Sequence, residues 1–244
     1  MELLKNERLD DLEYKGLKII QDKTKYCFTS DAVLLSNFAK ANSSDTVVDL
    51  CTGSGIIATL MYAKNNPKKV YGIELQKYLF DLAVKSAKLN GLDDKITFIN
   101  SQIQDATKYI KAGSVSVVTV NPPYEKVDGH YLSGDEQIDI CKYEKSLNLT
   151  DVIKVSSDLL KFGGKLFMVH KSSRLTEIIT LLKKYNLEPK ILRFIQPKAQ
   201  LNSNVVLIKA IKGGKAGLQV EPTLILTDEN GEYSKELKKI YNKE

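Results

Sequence analysis

Short runs of β-branched, apolar residues alternate with segments of helical apolar periodicity along most of this chain. The runs predict strands at residues 46–50, 69–74, 95–100, 115–120 and 165–170, and the periodic segments predict helices at 54–65, 77–89 and 150–160. Strands and helices that alternate at this pace are typical of an α/β fold with a mostly parallel, doubly wound sheet. In such a sheet, ligands bind outside the carboxyl ends of the strands.

The same pattern continues into the last third of the chain. It predicts a helix at 175–185 and strands at 190–195 and 204–211, which we expect to pair as an antiparallel hairpin at one edge of the sheet. We therefore divide the chain into an N-terminal extension that packs on the core (1–30), a core domain (31–212) and a C-terminal tail (213–244). Residues 125–148 carry many charges and little periodicity, and so long a loop inside a domain is usually functional or disordered.

Composition narrows the class of site. The 244 residues suit a single α/β core with additions. Three widely separated cysteines and two histidines argue against a disulfide framework and against a metal site. The N-terminus is charged and no apolar stretch approaches the roughly 18 residues of a membrane span, so we expect a cytoplasmic protein. The net charge of +6 favours a polyanionic partner.

The segment VVDLCTGSG places a glycine-containing turn directly after the first predicted core strand. Asp49 ends the strand, and Gly53 and Gly55 open the following helix, where glycines let the backbone approach a ligand closely. The segment lacks the dinucleotide fingerprint GxGxxG, because Cys51 stands at the first glycine position. We therefore favour a nucleoside ligand over a pyrophosphate, while a plain strand-to-helix turn remains the alternative.

Glu74 ends the next predicted strand, 25 residues after Asp49. Its carboxylate can accept hydrogen bonds from both hydroxyls of a ribose. S-adenosylmethionine fits this pair of acids, with its ribose at Glu74 and its methionine end at the loop and Asp49. Gln102, just past the third strand, is placed to hydrogen-bond the adenine, although an exposed polar residue at a helix start explains it equally well.

The tetrapeptide NPPY, Asn121 to Tyr124, follows the fourth predicted core strand. Its two prolines stiffen the turn, which holds the Asn121 side chain and the Pro122 carbonyl as a rigid pair of acceptors. Such acceptors suit a planar NH2 group, and Tyr124 can stack on an aromatic ring. By accepting both amine hydrogens, the pair frees the nitrogen lone pair for in-line attack on a methyl group.

DLCTGSG, GIE and NPPY, in this order, resemble the class I amino-methyltransferases, whose sheet is Rossmann-like and whose cofactor is S-adenosylmethionine. Segments outside these motifs narrow the resemblance: ERLDDLEYKGLKIIQ, FTSDAVLLSNFA, LIKAIKGGKAGL and EPTLIL. They are similar to the bacterial enzymes that methylate N6 of the adenosine next to the anticodon of valine tRNA. The resemblance covers nearly the whole chain and implies tRNA as the substrate.

The resemblance also implies a set of site residues. The cofactor residues would be Thr29, Asp31, Asp49, Cys51, Gly53, Gly55, Glu74, Leu75, Gln102, Ile103 and Asn121, and the catalytic residues would be Asn121, Pro122 and Tyr124. Residues 28–31 would close the methionine end of the pocket, although Ser30 or Asp31 could instead cap the next helix. The chain departs from the family pattern at Cys51, where glycine is common, and at Gln102 and Ser116, where aspartate is common.

The positive charges suggest how RNA would be held. We expect phosphate contacts from Lys126, Lys171, Arg174, Lys212 and Lys215, with the loop at 125–148 ordering over the anticodon loop and the carboxyl-terminal lysines on the stem. A solvated surface is the alternative for all of them.

Two other functions remain open from the sequence. NPPY also resembles the motif of enzymes that methylate a glutamine amide in release factors, or bases in DNA or ribosomal RNA. A non-catalytic RNA-binding module with a degenerate cofactor fold is the second alternative. The sequence gives no indication of the oligomeric state.

Overall fold

The computed structural model describes residues 3–25, 27–125, 136–144 and 147–243. Its strands are β1 (Glu7–Asp11), β2 (Lys18–Asp22), β3 (Thr46–Leu50), β4 (Lys69–Glu74), β5 (Ile96–Asn100), β6 (Val115–Val120), β7 (Leu160–Lys171), β8 (Leu187–Gln196), β9 (Val205–Lys212) and β10 (Gln219–Ile225). Its α-helices are α1 (Ser30–Phe38), α2 (Ile56–Asn65), α3 (Lys77–Leu89), α4 (Glu136–Lys142), α5 (Leu149–Leu159), α6 (Leu175–Lys184) and α7 (Lys235–Ile240). Short 3-10 helices follow β5 and β7, at Ile103–Lys108 and Ser172–Arg174.

Eight of the strands form one sheet in the order β10-β8-β9-β7-β6-β3-β4-β5. The five strands from β7 to β5 run parallel, β9 runs antiparallel to both β7 and β8, and β10 runs parallel to β8. The carboxyl ends of β3, β4 and β6 therefore lie side by side at one edge. This topology confirms the doubly wound, mostly parallel sheet and the antiparallel β8–β9 pair.

The pair lies in the antiparallel region at one side of the sheet, as expected, and one further strand, β10, runs parallel to β8 outside it. β10 falls in the segment interpreted as a C-terminal tail. Only Leu224 of this strand is buried, and its other residues alternate little in polarity, so sequence periodicity does not reveal it. Pro222 is compatible with an edge strand because its missing N–H does not interrupt a further ladder.

Successive side chains of a strand point to opposite faces of the sheet, and in the core strands both of these faces are buried under helices. Val47 and Val117 pack with helices α1 and α2 in one apolar cluster. Val48 and Val118 pack with α5 and α6 in another, on the opposite face. Both faces of the central strands are thus anchored, which fixes the positions of the residues that follow their carboxyl ends.

The N-terminal residues form an antiparallel hairpin, β1–β2, that packs on α3. The Ile20 amide donates to Ser86 Oγ at 3.0 Å, and the Lys18 amide donates to Asn90 Oδ1 at 3.0 Å. At the other end of the chain, the Asn242 side-chain amide donates to the Glu13 carbonyl at 2.8 Å.

Among the described residues, no helix is long and apolar enough to cross a membrane. The described residues also contain no group of three or more His, Cys, Asp or Glu side chains arranged to hold a metal ion.

Candidate active site

The turn after β3 is held by Asp49, whose side chain is fully buried on the side of the turn away from solvent. Its carboxylate accepts hydrogen bonds from Thr52 Oγ1 at 2.5 Å and from Thr119 Oγ1, on the neighbouring β6, at 2.7 Å. Burial raises the pKa of this carboxyl from 3.8 to about 7, against the effect of the two hydroxyls. Asp49 therefore connects the turn to the adjacent strand, and it does not lie in the cavity wall where the sequence interpretation placed it.

Three residues of this turn adopt left-handed backbone conformations: Cys51 (φ 56°), Gly53 (φ 57°) and Gly55 (φ 88°). A Cβ added at Gly53 would meet no atom within 4 Å, whereas one at Gly55 would lie 2.8 Å from Cζ of Phe98. Gly53 is needed for its backbone angle beside an open space, and Gly55 for close packing against an aromatic ring. Cys51 holds an angle that favours glycine, the residue that the family resemblance led us to expect at this position.

Glu74 ties the end of β4 to the same turn. Its Oε2 accepts from the Gly53 amide and its Oε1 from the Gln76 amide, each at 2.9 Å. The side chain is buried, which raises its pKa, and the backbone N–H groups oppose that shift. Each carboxylate oxygen takes one of these hydrogens, so acceptor capacity remains for the hydroxyls of a ribose.

A cavity of about 390 Å³ opens at this edge of the sheet, within the range of small-molecule sites. Its wall combines residues from the turns after β3, β4, β5 and β6 with residues of α4 and the segment before α1. Among these residues are Phe28, Cys51, Gly53, Glu74, Leu75, Gln102, Ile103, Asn121, Pro122, Tyr124, Cys141 and Lys142. A buried acid, an open glycine and apolar walls together fit a nucleoside cofactor such as S-adenosylmethionine.

Gln102 lies in this wall, and its side-chain amide donates to Asp105 Oδ2 at 3.2 Å. Its side-chain oxygen stays available as an acceptor for an adenine amine. Thr29 and Asp31 do not line the cavity. The N-cap residue of α1 is Thr29, and therefore neither Ser30 nor Asp31, which the alternative interpretation proposed. The Thr29 side chain makes no capping hydrogen bond.

The NPPY turn follows β6 directly and lines the cavity from the side opposite Glu74 along the sheet edge. Tyr124 Oη lies 2.7 Å from Asn121 Oδ1 and 3.0 Å from Asp31 Oδ2. The tyrosine ring rests against the His170 ring, with the centroids 5.0 Å apart. The Tyr124 carbonyl accepts from Arg174 Nη1 at 3.2 Å.

His170 is fully buried and neutral. Burial, with a contribution from Arg174, lowers the pKa of its imidazole to about 3. Its Nδ1 accepts from the Lys171 amide at 2.9 Å. Because the pKa is low, the ring that contacts Tyr124 is uncharged.

The structure disperses the residues expected to contact RNA. Arg174 is only 10% exposed and pairs with Glu144 and Glu177, so it braces the turn and is not free for a phosphate. Lys171 lies at the site edge and pairs with Glu125. Lys126 lies outside the described residues, as do the rest of 126–135 and residues 145–146 of the loop at 125–148.

Lys212 and Lys215 lie towards the opposite end of the strands from the cavity, and their contact with the tRNA stem stays a prediction. Residue 205 of β9 pairs with Lys171 at the site edge, and Lys212 lies seven residues further along the strand, roughly 20 Å away. Lys212 Nζ also donates to the carbonyl and hydroxyl of Ser157. Lys215 precedes β10, and its carbonyl accepts from Lys190.

Sequence reasoning missed several residues that shape the site. Thr52 and Thr119 hold Asp49, Phe98 packs behind the turn, and His170 supports Tyr124. Only His170 carried a signal, because a lone histidine at the end of a predicted apolar strand is unusual.

The model of the methyltransferase small domain family matches residues 28–186 of this chain. A tRNA1(Val) (adenine(37)-N6)-methyltransferase of Christiangramia forsetii is 24% identical over 185 residues, which are 72% of this chain and 74% of that protein. The protein of that name from Aeromonas hydrophila is 24% identical over 229 residues, 91% of each chain. The crystal structure of a predicted O-methyltransferase from Agrobacterium tumefaciens superposes with a TM-score of 0.71 at 19% identity, over 87% of this chain and 95% of that one.

Proposed function

The chain belongs to the methyltransferase small domain family, and we propose that it transfers a methyl group from S-adenosylmethionine to N6 of an adenosine in the anticodon loop of a tRNA. The observation that carries the proposal is the meeting of Asn121, Tyr124, Gly53 and Glu74 in the wall of one cavity. The names of the relatives support tRNA, and valine tRNA first, as the substrate. A tRNA substrate supports the expectation of a cytoplasmic protein.

Within the cavity, Glu74 binds the ribose of the cofactor through its remaining acceptor positions. Leu75, Ile103 and Gln102 receive the adenine ring and its amine. The open space beside Gly53 admits the chain that carries the sulfur. S-adenosylmethionine supplies an electrophilic methyl group on a sulfonium, and neither a metal nor a strong base is needed for its transfer to nitrogen.

Asn121 Oδ1 and the Pro122 carbonyl accept the two hydrogens of the target amine. These two bonds orient the nitrogen lone pair towards the methyl group. They also stabilise the transition state, in which the nitrogen becomes tetrahedral. Tyr124 stacks on the flipped base, which is already partly unstacked in a loop. As the N–C bond forms, the S–C bond would break and the sulfur would leave as a neutral thioether. The amine proton then goes to solvent, because the N-methylated cation is strongly acidic.

The positive charge available at the mouth of the cavity differs from the sequence expectation. Lys142 on α4 lines the cavity and is exposed. We propose that Lys142 and Lys171 contact the backbone of the anticodon loop. Arg174 instead holds the NPPY turn through the Tyr124 carbonyl.

The test incubates the protein with total tRNA and methyl-labelled cofactor, followed by digestion and mass spectrometry of the nucleosides. We expect N6-methyladenosine, mapped to the anticodon loop. Asn121→Ala is the matched control, which should bind the cofactor with unchanged affinity but lose at least two orders of magnitude in single-turnover rate. Methylation of a release-factor glutamine or of DNA, with none of tRNA, would replace the proposed substrate. No methylation by a protein that binds the cofactor would favour a binding module.

Glu74→Ala tests the cofactor assignment separately. Loss of hydrogen bonds to a charged acceptor should weaken S-adenosylmethionine binding by about 1.5–3 kcal/mol per bond. Calorimetry measures this directly, and an unchanged affinity would exclude Glu74 as the ribose ligand.

A further inference from the structure

The hydroxyl of Tyr124 carries one hydrogen but lies within hydrogen-bond distance of two acceptors. Asn121 Oδ1 is at 2.7 Å and Asp31 Oδ2 is at 3.0 Å. In this arrangement the enzyme's own tyrosine occupies one of the two lone pairs of the oxygen that the target amine requires. An amine that enters the cavity would share Asn121 Oδ1 with that hydroxyl, which weakens its own bond to the oxygen.

Asp31 offers the tyrosine an alternative partner. A hydrogen bond to a carboxylate is about twice as strong as one to a neutral amide oxygen. When the amine reaches Asn121, the Tyr124 hydroxyl can therefore direct its hydrogen to Asp31 with no loss. Without Asp31, the hydroxyl would lose its charged acceptor, which favours its bond to Asn121 Oδ1, so that the hydroxyl and the amine would share that oxygen.

The rest of Tyr124 is fixed, so that this exchange requires little movement. His170 supports one face of the ring, and Arg174 holds the carbonyl. Asp31 is also anchored, since it lies in the first turn of α1. That helix buries Val33, Leu34 and Leu35 in the core.

We propose that Asp31 is a positioning residue, which draws the Tyr124 hydroxyl away from Asn121 Oδ1 when the substrate amine binds. Asp31 acts through Tyr124 and not on the cofactor, because it is absent from the cavity wall while Tyr124 belongs to it. This role rests on the proposed amino-methyltransferase function, and it differs from the cofactor role that the sequence resemblance implied for Asp31.

A double-mutant cycle with Asp31→Ala and Tyr124→Phe tests the proposal. In the parent, Asp31→Ala should lower the single-turnover rate at saturating cofactor on the order of tenfold, and it should leave cofactor affinity within about twofold. Asp31→Asn, which keeps a neutral acceptor, should retain part of the rate. In the Tyr124→Phe background, which has no hydroxyl to redirect, Asp31→Ala should have no further effect. Asp158→Ala, which removes an exposed acid on α5, is the control for a general loss of charge.

Equal effects of Asp31→Ala in both backgrounds would overturn the proposal, since Asp31 would then act independently of the hydroxyl. A tenfold or larger loss of cofactor affinity with an unchanged rate at saturation would also overturn it and restore the cofactor role. Calorimetry with S-adenosylmethionine and the rate measurement separate these results. If the parent methylates another amine but no tRNA, the proposed substrate is wrong. The double-mutant cycle then uses that amine and still tests the role of Asp31.

Discussion

The two glycines of the turn after β3 make a sharp test of the site, because they are required for different reasons. Gly55→Ala places a methyl group 2.8 Å from Phe98 Cζ and 3.1 Å from Ala83 Cβ, in a left-handed conformation. The conformation costs alanine roughly 1–2 kcal/mol, and the overpacking adds about 1–3 kcal/mol. We expect Gly55→Ala to lower the free energy of unfolding by about 2–5 kcal/mol.

Gly53→Ala is the matched variant. It incurs the backbone cost alone, because the added Cβ meets nothing within 4 Å, so we expect a loss of about 1–2 kcal/mol. The same Cβ stands beside the cavity that Gly53 lines, and S-adenosylmethionine should therefore bind more weakly. Gly55→Ala, where folded, should bind the cofactor nearly as the parent does.

Urea denaturation measures the two stabilities, and calorimetry measures the two affinities. Phe98→Leu removes the ring atoms that Gly55→Ala would meet but leaves the contact with Ala83 Cβ, so in that background the cost of Gly55→Ala should fall towards that of Gly53→Ala. A Gly55→Ala cost that is the same with and without the Phe98 ring would refute the packing explanation. Unchanged cofactor affinity in Gly53→Ala would refute the placement of the cofactor beside the turn.

Three further predictions follow from charges in the structure. The folded state keeps the Asp49 proton up to about pH 7, while the unfolded chain releases it near pH 4, so this group makes the protein less stable as pH rises between those values. Asp49→Asn should therefore gain stability relative to the parent from pH 5 to pH 8, by roughly 2.5 kcal/mol in urea titrations, and a constant difference would contradict the raised pKa. Arg174→Ala leaves the half-buried Glu144 without its guanidinium partner and should destabilise the fold by about 1.5–3 kcal/mol, with Arg174→Lys retaining part of the stability, as thermal and urea unfolding would show. Lys142→Glu should weaken tRNA binding and reduce its salt dependence in filter-binding assays, whereas Lys215→Glu, an equally exposed lysine towards the opposite end of the strands, should do so less; equal effects would mean that RNA does not approach from the cavity side.

The sequence predicted the central sheet well, because its strands are buried on both faces. Strands β3, β4 and β6 lie at the expected residues, since their apolar runs need no partner to be recognised. β10 and the hairpin β1–β2 escaped prediction, because their half-polar strands owe their conformation to β8 and α3.

The candidate site was predicted at the level of chain position but not of side-chain direction. The carboxyl ends of parallel strands had to bring Glu74 and Asn121 together, whatever the details of packing. Sequence spacing could not show that Asp49 points beneath the turn. It also could not show that Glu144, 30 residues before Arg174, would meet its guanidinium. Ion pairs between distant segments depend on the tertiary fold, and a count of lysines and arginines therefore overstates the charge that is free for RNA.

The placement of β9 between β7 and β8 constrains the order in which the chain can assemble. β8 precedes β9 in the sequence, yet it gains its neighbour towards the centre of the sheet only after β9 has inserted. The strands that carry the cavity, β3 to β7, are synthesised before both of them. During translation the cofactor site can thus close while the edge of β7 still exposes a row of unpaired backbone groups, which is a surface prone to aggregation. Cofactor bound to the nascent chain would stabilise the half-built sheet at the stage when it is most exposed.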